Sequence, residues 1–268
     1  MRRKRKRNIG EMHLLESKII YEVYGGKKMK LGVITDIHNN LIALKAVVEK
    51  LNQQNCDKII CCGDIIGIGP YPEETVQFMI QIPNLIAIRG NHETYLLEGM
   101  PSEVPNEEQM DFGEMEHHKW EHSMLSKKSV EFLKGLPYRT EFECEGYRLT
   151  VMHYCMDEKG HYIRYKTNPS KEDLKQMFAE GESDMILYGH DHGRTICKGD
   201  KVYVNVGSLG CPGQEKNIAR AGIVTIEKGS IEVQAIDVEY DVDKVISAID
   251  EIKYPDAENI KKYFYGLW

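Results

Sequence analysis

The sequence has no C-x-x-C pair, and its seven cysteines are an odd number. That argues against a disulfide scaffold or a structural zinc site and for reduced thiols in a cytoplasmic protein. Long apolar runs are missing too. The longest uncharged ones, such as residues 59–62 and 185–188, fall far short of the roughly 20 residues a membrane helix needs. The basic run at residues 2–7 has no apolar stretch behind it, so it is not a secretory signal. There is no internal repeat and no low-complexity segment. What remains is a chain of 268 residues, 41 % hydrophobic and 29 % charged, enough for one large globular domain or two small ones and unlike a fibre or a disordered chain.

Charge is unevenly placed. Residues 1–28 carry nine basic and three acidic side chains, and the rest of the chain carries 26 basic and 39 acidic ones. The acidic body has no broad footprint for duplex nucleic acid, and metal ions would let it approach anionic substrates. Residues 1–28 read as a basic leader or disordered extension. The Gly25-Gly26 pair before Met29 is compatible with a ribosome-binding site in the gene, which would make Met29 the native start. N-terminal sequencing of the natural protein tests this, and residues found before Met29 would refute it. The organisation expected is therefore a leader at 1–28, a single domain at 29–254 and a short tail at 255–268.

Apolar runs at residues 30–35, 58–62 and 85–88 read as buried strands. Between them, Asn39 or Asn40 can cap a helix with Leu41, Leu44, Val47, Val48 and Leu51 on one face, and Pro72 opens a second with Val76, Met79 and Ile80. This alternation predicts parallel βαβ units. Residues 93–136 read as a helical insertion over the sheet edge. Strands then dominate, at 138–144, 147–152, 185–188, 195–197, 202–206, 222–226 and 231–236, with a helix at 171–179 among them and another carrying Val242, Val245, Ile246, Ile249 and Ile252. The fold class expected is α/β, a four-layer α-β-β-α sandwich of two packed mixed sheets flanked by helices.

Chemistry-bearing residues stand where these strands end. Asp36-Ile37-His38 follows the first strand, Gly63-Asp64 the second and Gly90-Asn91-His92-Glu93 the third. His153 ends the strand at 147–152, and Gly189-His190-Asp191-His192 follows a later one. In extended chain, residues i and i+2 point to one side, so Asp36 with His38 and His190 with His192 are offered together. Ligands of α/β sheets gather at the carboxyl ends of strands. Two Asp, one Asn and four His, without thiolate, suit Mn, Fe or Zn. Seven donors are too many for one ion and suit two ions sharing a carboxylate, the arrangement that clamps a phosphoryl group.

These motifs, in this order from about residue 30 to 192, resemble the calcineurin-like metallophosphoesterase superfamily. The loop Asn205-Val206-Gly207-Ser208-Leu209-Gly210-Cys211-Pro212 is similar to the Asn-Pro-Gly-Ser-Val-Gly-x-Pro loop of its small prokaryotic predicted phosphodiesterases, with Val206 in place of the usual Pro. The resemblance implies one metal held by Asp36, His38, Asp64 and His192, a second by Asp64, Asn91, His153 and His190, and Asp64 as the bridge. It implies in-line attack by a metal-bridging hydroxide, with His92 as leaving-group acid or transition-state stabiliser and not a ligand. Glu93 and Asp191 would orient the ligands. Two divalent or trivalent transition-metal ions are expected, manganese first, then Fe, Zn, Ni or Co. His153 has a rival in His161, because the family's usual Gly after this His is Tyr154 here.

Other features receive blander readings. Glu114, His118 and His122 share a helical face that could hold a metal, but a solvated face is the expectation. Cys61 and Cys62 read as packing residues. Arg89, Arg164, Arg194 and Arg220 could bind phosphate, and Arg220 also reads as structural. Where protein phosphatases of the superfamily carry Gly-Asp-x-x-Asp-Arg-Gly, this chain has Gly63-Asp64-Ile65-Ile66-Gly67-Ile68-Gly69. Ile68 replaces the Arg that anchors a dianionic monoester, and a singly charged diester needs that anchor less. The function expected is hydrolysis of a small soluble phosphodiester, with a nucleotide among the candidate substrates. The alternatives are a phosphomonoesterase, protein phosphatase or dinucleoside polyphosphate hydrolase, and a non-catalytic metal-binding scaffold. No membrane partner and no long nucleic acid are expected, and the aromatic tail is compatible with an oligomer.

Overall fold

Strand β2 (Met29–Ile34) turns Leu31 and Val33 to one side and Ile34 to the other, and all three are fully buried. A strand buried on both faces must lie inside a layered α/β structure. The computed structural model describes residues 17–24, 28–105, 110–157, 161–163, 165–179, 181–211, 213 and 215–267. After β1 (Ser17–Tyr24) and β2 come α1 (Leu41–Gln53), β3 (Lys58–Cys61), α2 (Pro72–Gln81), β4 (Leu85–Ala87), α3 (Asn91–Glu98), α4 (Phe112–Met124) and α5 (Lys127–Lys134). The second half runs β5 (Arg139–Cys144), β6 (Tyr147–Met152), α6 (Lys171–Met177), β7 (Met185–Leu187), β8 (Arg194–Lys198), β9 (Val202–Val206), β10 (Ile218–Glu227), β11 (Ser230–Glu239), α7 (Val242–Glu251) and α8 (Ala257–Tyr265).

The strands form two mixed sheets, one ordered β11-β10-β2-β3-β4 and the other β1-β5-β6-β7-β9-β8. Leu31, Val33, Ile60 and Val224 of the first pack against Phe142, Leu149, Val151, Leu187 and Val204 of the second. On its outer face the first sheet meets α1, α2 and α7, through Leu44, Val47, Val76, Met79, Val245 and Ile249. The second sheet's outer face is thinner, with Leu174 and Phe178 set against Ile186, Tyr188 and Tyr203. This is the expected four-layer α-β-β-α sandwich. Strands β2, β3 and β4 run parallel, as do β6, β7 and β9. The ends of β2, β3, β4, β6 and β7 carry the candidate site.

Two segments differ from the sequence reading. Ser17–Tyr24, within the expected leader, pairs in parallel with β5 as an edge strand. The basic run at 2–7 lies outside the described residues. Residues 257–265, expected as a tail, form helix α8, which buries Ile260 and Tyr265 in the core. Among the described residues no helix is long and apolar enough to cross a membrane.

Candidate metal centre

Loops 36–40 and 63–66 run side by side. Asp36 N donates to Gly63 O (3.1 Å), Ile37 N to Asp64 O (2.7 Å) and Asn39 N to Ile65 O (3.0 Å). On the other flank, Leu209 N and Gly210 N donate to the carbonyls of Thr35 and Asp36, and Ser208 Oγ also donates to Asp36 O. The loop similar to that of the predicted phosphodiesterases thus buttresses the first strand end. Asp36, His38, Asp64, His190 and His192 all adopt positive φ, between 49° and 77°. Non-glycine residues pay on the order of 1–3 kcal/mol each for this, and it persists where surrounding structure over-determines it. Gly90 and Gly189 permit the close packing. A Cβ on Gly90 would lie 2.1 Å from Asp64 Oδ1, and one on Gly189 2.7 Å from Asp36 Oδ2.

The structure brings all seven expected donors together. His38 Nε2 lies 2.9 Å from His192 Nε2 and 3.9 Å from both Asp36 Oδ1 and Asp64 Oδ2. His192 Nε2 is 3.7 Å from Asp36 Oδ1. On the other side of Asp64, His153 Nε2 stands 3.1 Å from its Oδ2, and Asn91 Oδ1 is 3.0 Å from both His153 Nε2 and His190 Nδ1. Asp64 therefore sits between two donor groups. His92 Nε2 faces the same carboxylate at 3.8 Å.

The tautomers favour metal binding. His38 Nδ1 faces Ile66 O (3.3 Å) and His153 Nδ1 faces Cys62 O (2.8 Å). A carbonyl only accepts, so each Nδ1 carries a proton and each Nε2 points inward, where a cation would replace any proton it holds. Burial, reinforced by His192, pushes His38 down to about 3, and burial with His153 does the same to His190. His153 goes the other way, to about 10, because Asp64 outweighs its burial. Two buried carboxylates demand positive charge, which the raised His153 meets in part with a proton, and cations fit this donor set.

Glu93 holds the second and third strand ends together. Its carboxylate accepts from the backbone N–H groups of Asp64, Ile65, Ile66 and Gly90, at 2.7–3.0 Å. Burial and Asp64 raise its pKa to about 7 against these donors. Asp191 accepts from Gly193 N and Asn205 Nδ2, which fixes the 189–193 turn. Tyr154 is buried with its ring 4.8 Å from that of His190, so the side chain that departs from the family pattern supports a candidate ligand.

His161, the rival of His153, is half-exposed beside Asp157 and outside the donor group. Cys61 and Cys62 are buried packing residues. The arginines considered for phosphate have other partners. Arg89 donates to Leu136 O and Lys134 O under the ring of Tyr138. Arg194 binds Val206 O and Asp237, and Arg220 binds Glu215. Arg164 lies outside the described residues. The solvated face expected for helix α4 is a correction: His118 and Glu121 are fully buried. Helix α4 packs over loop 64–69 with a polar face inward, and a hydrophobicity pattern does not register such a face. Glu121, missed in the sequence, accepts from Asn39 Nδ2 (2.6 Å), Gly67 N (2.8 Å) and His118 Nδ1 (2.6 Å).

A family profile described as the calcineurin-like phosphoesterase superfamily domain matches residues 29–229. An uncharacterized protein of Methanocaldococcus jannaschii, MJ0912, is 28 % identical over 245 residues, covering 85 % of this chain and 95 % of that protein. The phosphodiesterase MJ0936 of the same organism is 24 % identical over 203 residues, covering 75 % and 95 %. Among solved structures, a hypothetical protein of Pyrococcus horikoshii, PH1004, superposes with a TM-score of 0.75 at 20 % identity, covering 89 % of this chain and 99 % of the other.

Proposed function

The chain belongs to the calcineurin-like phosphoesterase superfamily, and from that premise we propose that it hydrolyses a small soluble phosphodiester. The observation that carries the diester reading is that, among the described residues, the arginines considered for phosphate are engaged away from the donor group. Ile68, standing where protein phosphatases place their Arg, is buried in the apolar core, and Arg89, Arg194 and Arg220 are held by other groups. A dianionic monoester would lack its bidentate anchor here. The name of the phosphodiesterase relative supports the same side.

Asp36, His38, Asp64 and His192 would hold one cation, and Asp64, Asn91, His153 and His190 a second. When bound, two such ions, manganese first among the candidates, would draw charge from the phosphoryl oxygens and lower the pKa of an attacking water. The remaining tasks fall to side chains. His92 Nε2, which faces Asp64 beside the donors, would serve as leaving-group acid or transition-state stabiliser. Glu93 keeps Asp64 and Asn91 in register by gripping the backbone on both sides. A nucleotide diester of small size suits the acidic body better than a polymer.

Metal-stripped protein reloaded with Mn²⁺ should cleave bis-p-nitrophenyl phosphate in preference to p-nitrophenyl phosphate. Asp64→Asn should lower that turnover by more than about 10³-fold. A preference for the monoester would overturn the diester reading. Two bound metals with no turnover of either ester would favour a non-catalytic scaffold.

A further inference from the structure

Behind His92 lies a second group of donors that the reaction above leaves unused. Helix α4 places His118 and His122 one turn apart, a spacing that puts both on one face and recurs among metal-binding helices. Between them comes Glu121, whose Oε1 accepts from His118 Nδ1 and lies 3.7 Å from His122 Nε2. His92 reaches the same place from the other side. Its Nε2 faces Asp64, and its Nδ1 lies so close over Gly67 that a Cβ there would fall 2.2 Å from it. Gly67 N donates to Glu121 Oε2, so Nδ1 and the Glu121 carboxylate share one pocket. One donor atom each from His92, His118 and Glu121 lies within 4.8 Å of the others.

The independent sign is orphaned nitrogen. His92 Nδ1 and His122 Nε2 are buried without a hydrogen-bond partner, and the His92 side chain is 7 % exposed. Buried polar atoms are ordinarily partnered, yet His92 Nδ1 beside Gly67 and His122 Nε2, 3.7 Å from Glu121 Oε1, are not.

We propose that His92, His118, Glu121 and His122 form a mononuclear cation site of zinc type, separate from the strand-end pair. Three imidazoles and one carboxylate suit Zn²⁺ better than Mg²⁺ or Ca²⁺, which prefer oxygen. Metal–donor bonds of about 2.0–2.1 Å put tetrahedral donors roughly 3.4 Å apart. The 3.7 Å pair is near that value, and the 2.6 Å contact between His118 and Glu121 opens by less than about 1 Å. With Nδ1 on the cation, His118 would keep its remaining proton on Nε2, which lies 3.8 Å from Glu114 Oε1. The partly exposed edges of His122 and Glu114 provide a path for the ion. The cation ties α4 to loop 64–69 and leaves His92 a single proton, on Nε2 toward Asp64, so that a loaded His92 stabilises charge as a hydrogen-bond donor instead of acting as the leaving-group acid. The site stands independently of the diester reading.

Equilibrium dialysis of metal-stripped full-length protein against Zn²⁺, with zinc counted per chain by mass spectrometry, tests it. Wild type should hold three equivalents. His118→Asn and His122→Asn should each hold two, with circular dichroism unchanged. Asp64→Asn should lose strand-end zinc and keep the third ion. Equal zinc in wild type and either folded α4 variant overturns the site, whatever the wild-type count. A count that falls in His118→Asn but not in Asp64→Asn would sink the dinuclear reading and leave this site standing.

Discussion

The histidines in front of His92 and those behind it are held in opposite ways. His38, His190 and His192 sit on loops at strand ends, in left-handed backbone, and His38 and His153 have one ring nitrogen pinned by a main-chain carbonyl. His117, His118 and His122 sit on an ordinary helix, and the only ring hydrogen bond among them runs from His118 to Glu121. Burial pushes His38 and His190 down to about 3, whereas Glu121 and Glu114 outweigh burial and lift His118 to about 9. His153, lifted to about 10 under Asp64, shows the common rule. A buried carboxylate sets the demand for positive charge, and a proton or a metal ion can meet it.

The comparison breaks most sharply at His92, which touches both sets. His92→Asn should lower kcat by about 10²–10⁴-fold on a diester with an alkyl leaving group. The loss should be much smaller on a p-nitrophenyl diester, whose leaving group departs without a proton. Equal losses on both would show that His92 does not serve as the acid.

A second effect belongs to α4 alone and is read in metal-stripped protein. The folded pKa of His118, about 9, exceeds its ordinary 6.5. Its contribution to stability, at most on the order of 3 kcal/mol, is therefore complete below pH 6.5 and lost as pH rises through about 9. Urea unfolding at pH 6 and pH 9.5 should show this loss, and His118→Asn should flatten it. An unchanged pH profile in the variant would separate His118 from Glu121. The smallest effect sharpens the first set. His161→Ala should leave turnover within about twofold, as expected for a surface substitution away from the site.

The strand-end donors were legible because each motif follows an apolar run directly, so sequence position alone puts Asp36, Asp64, Asn91, His153 and His190 at strand ends. The choice between His153 and His161 was not settled locally. It is decided by β6, which ends against β7 with His153 pointing at Asp64. Helix α4 was misjudged because its inward face is made of His and Glu, residues that a hydrophobicity pattern assigns to water. Its partners are Asn39 and Gly67, and nothing near residues 114–122 announces them. Helix α8 was missed for a related reason. After Pro255 only a few apolar residues recur, too few to stand out as a helix until Ile260 and Tyr265 meet the core.

By itself, the sequence determined the donor chemistry: oxygen and imidazole without thiolate, in an order that resembles one superfamily, with Ile68 where a phosphate-binding Arg would stand. The tertiary structure alone decided which donors meet. His38 and His192 are 154 residues apart in the chain and 2.9 Å apart in space. Residue type is a local property of the chain. Ring orientation, burial and the partner of each nitrogen arise only when two sheets pack with their strand ends on one edge and a helix closes over them.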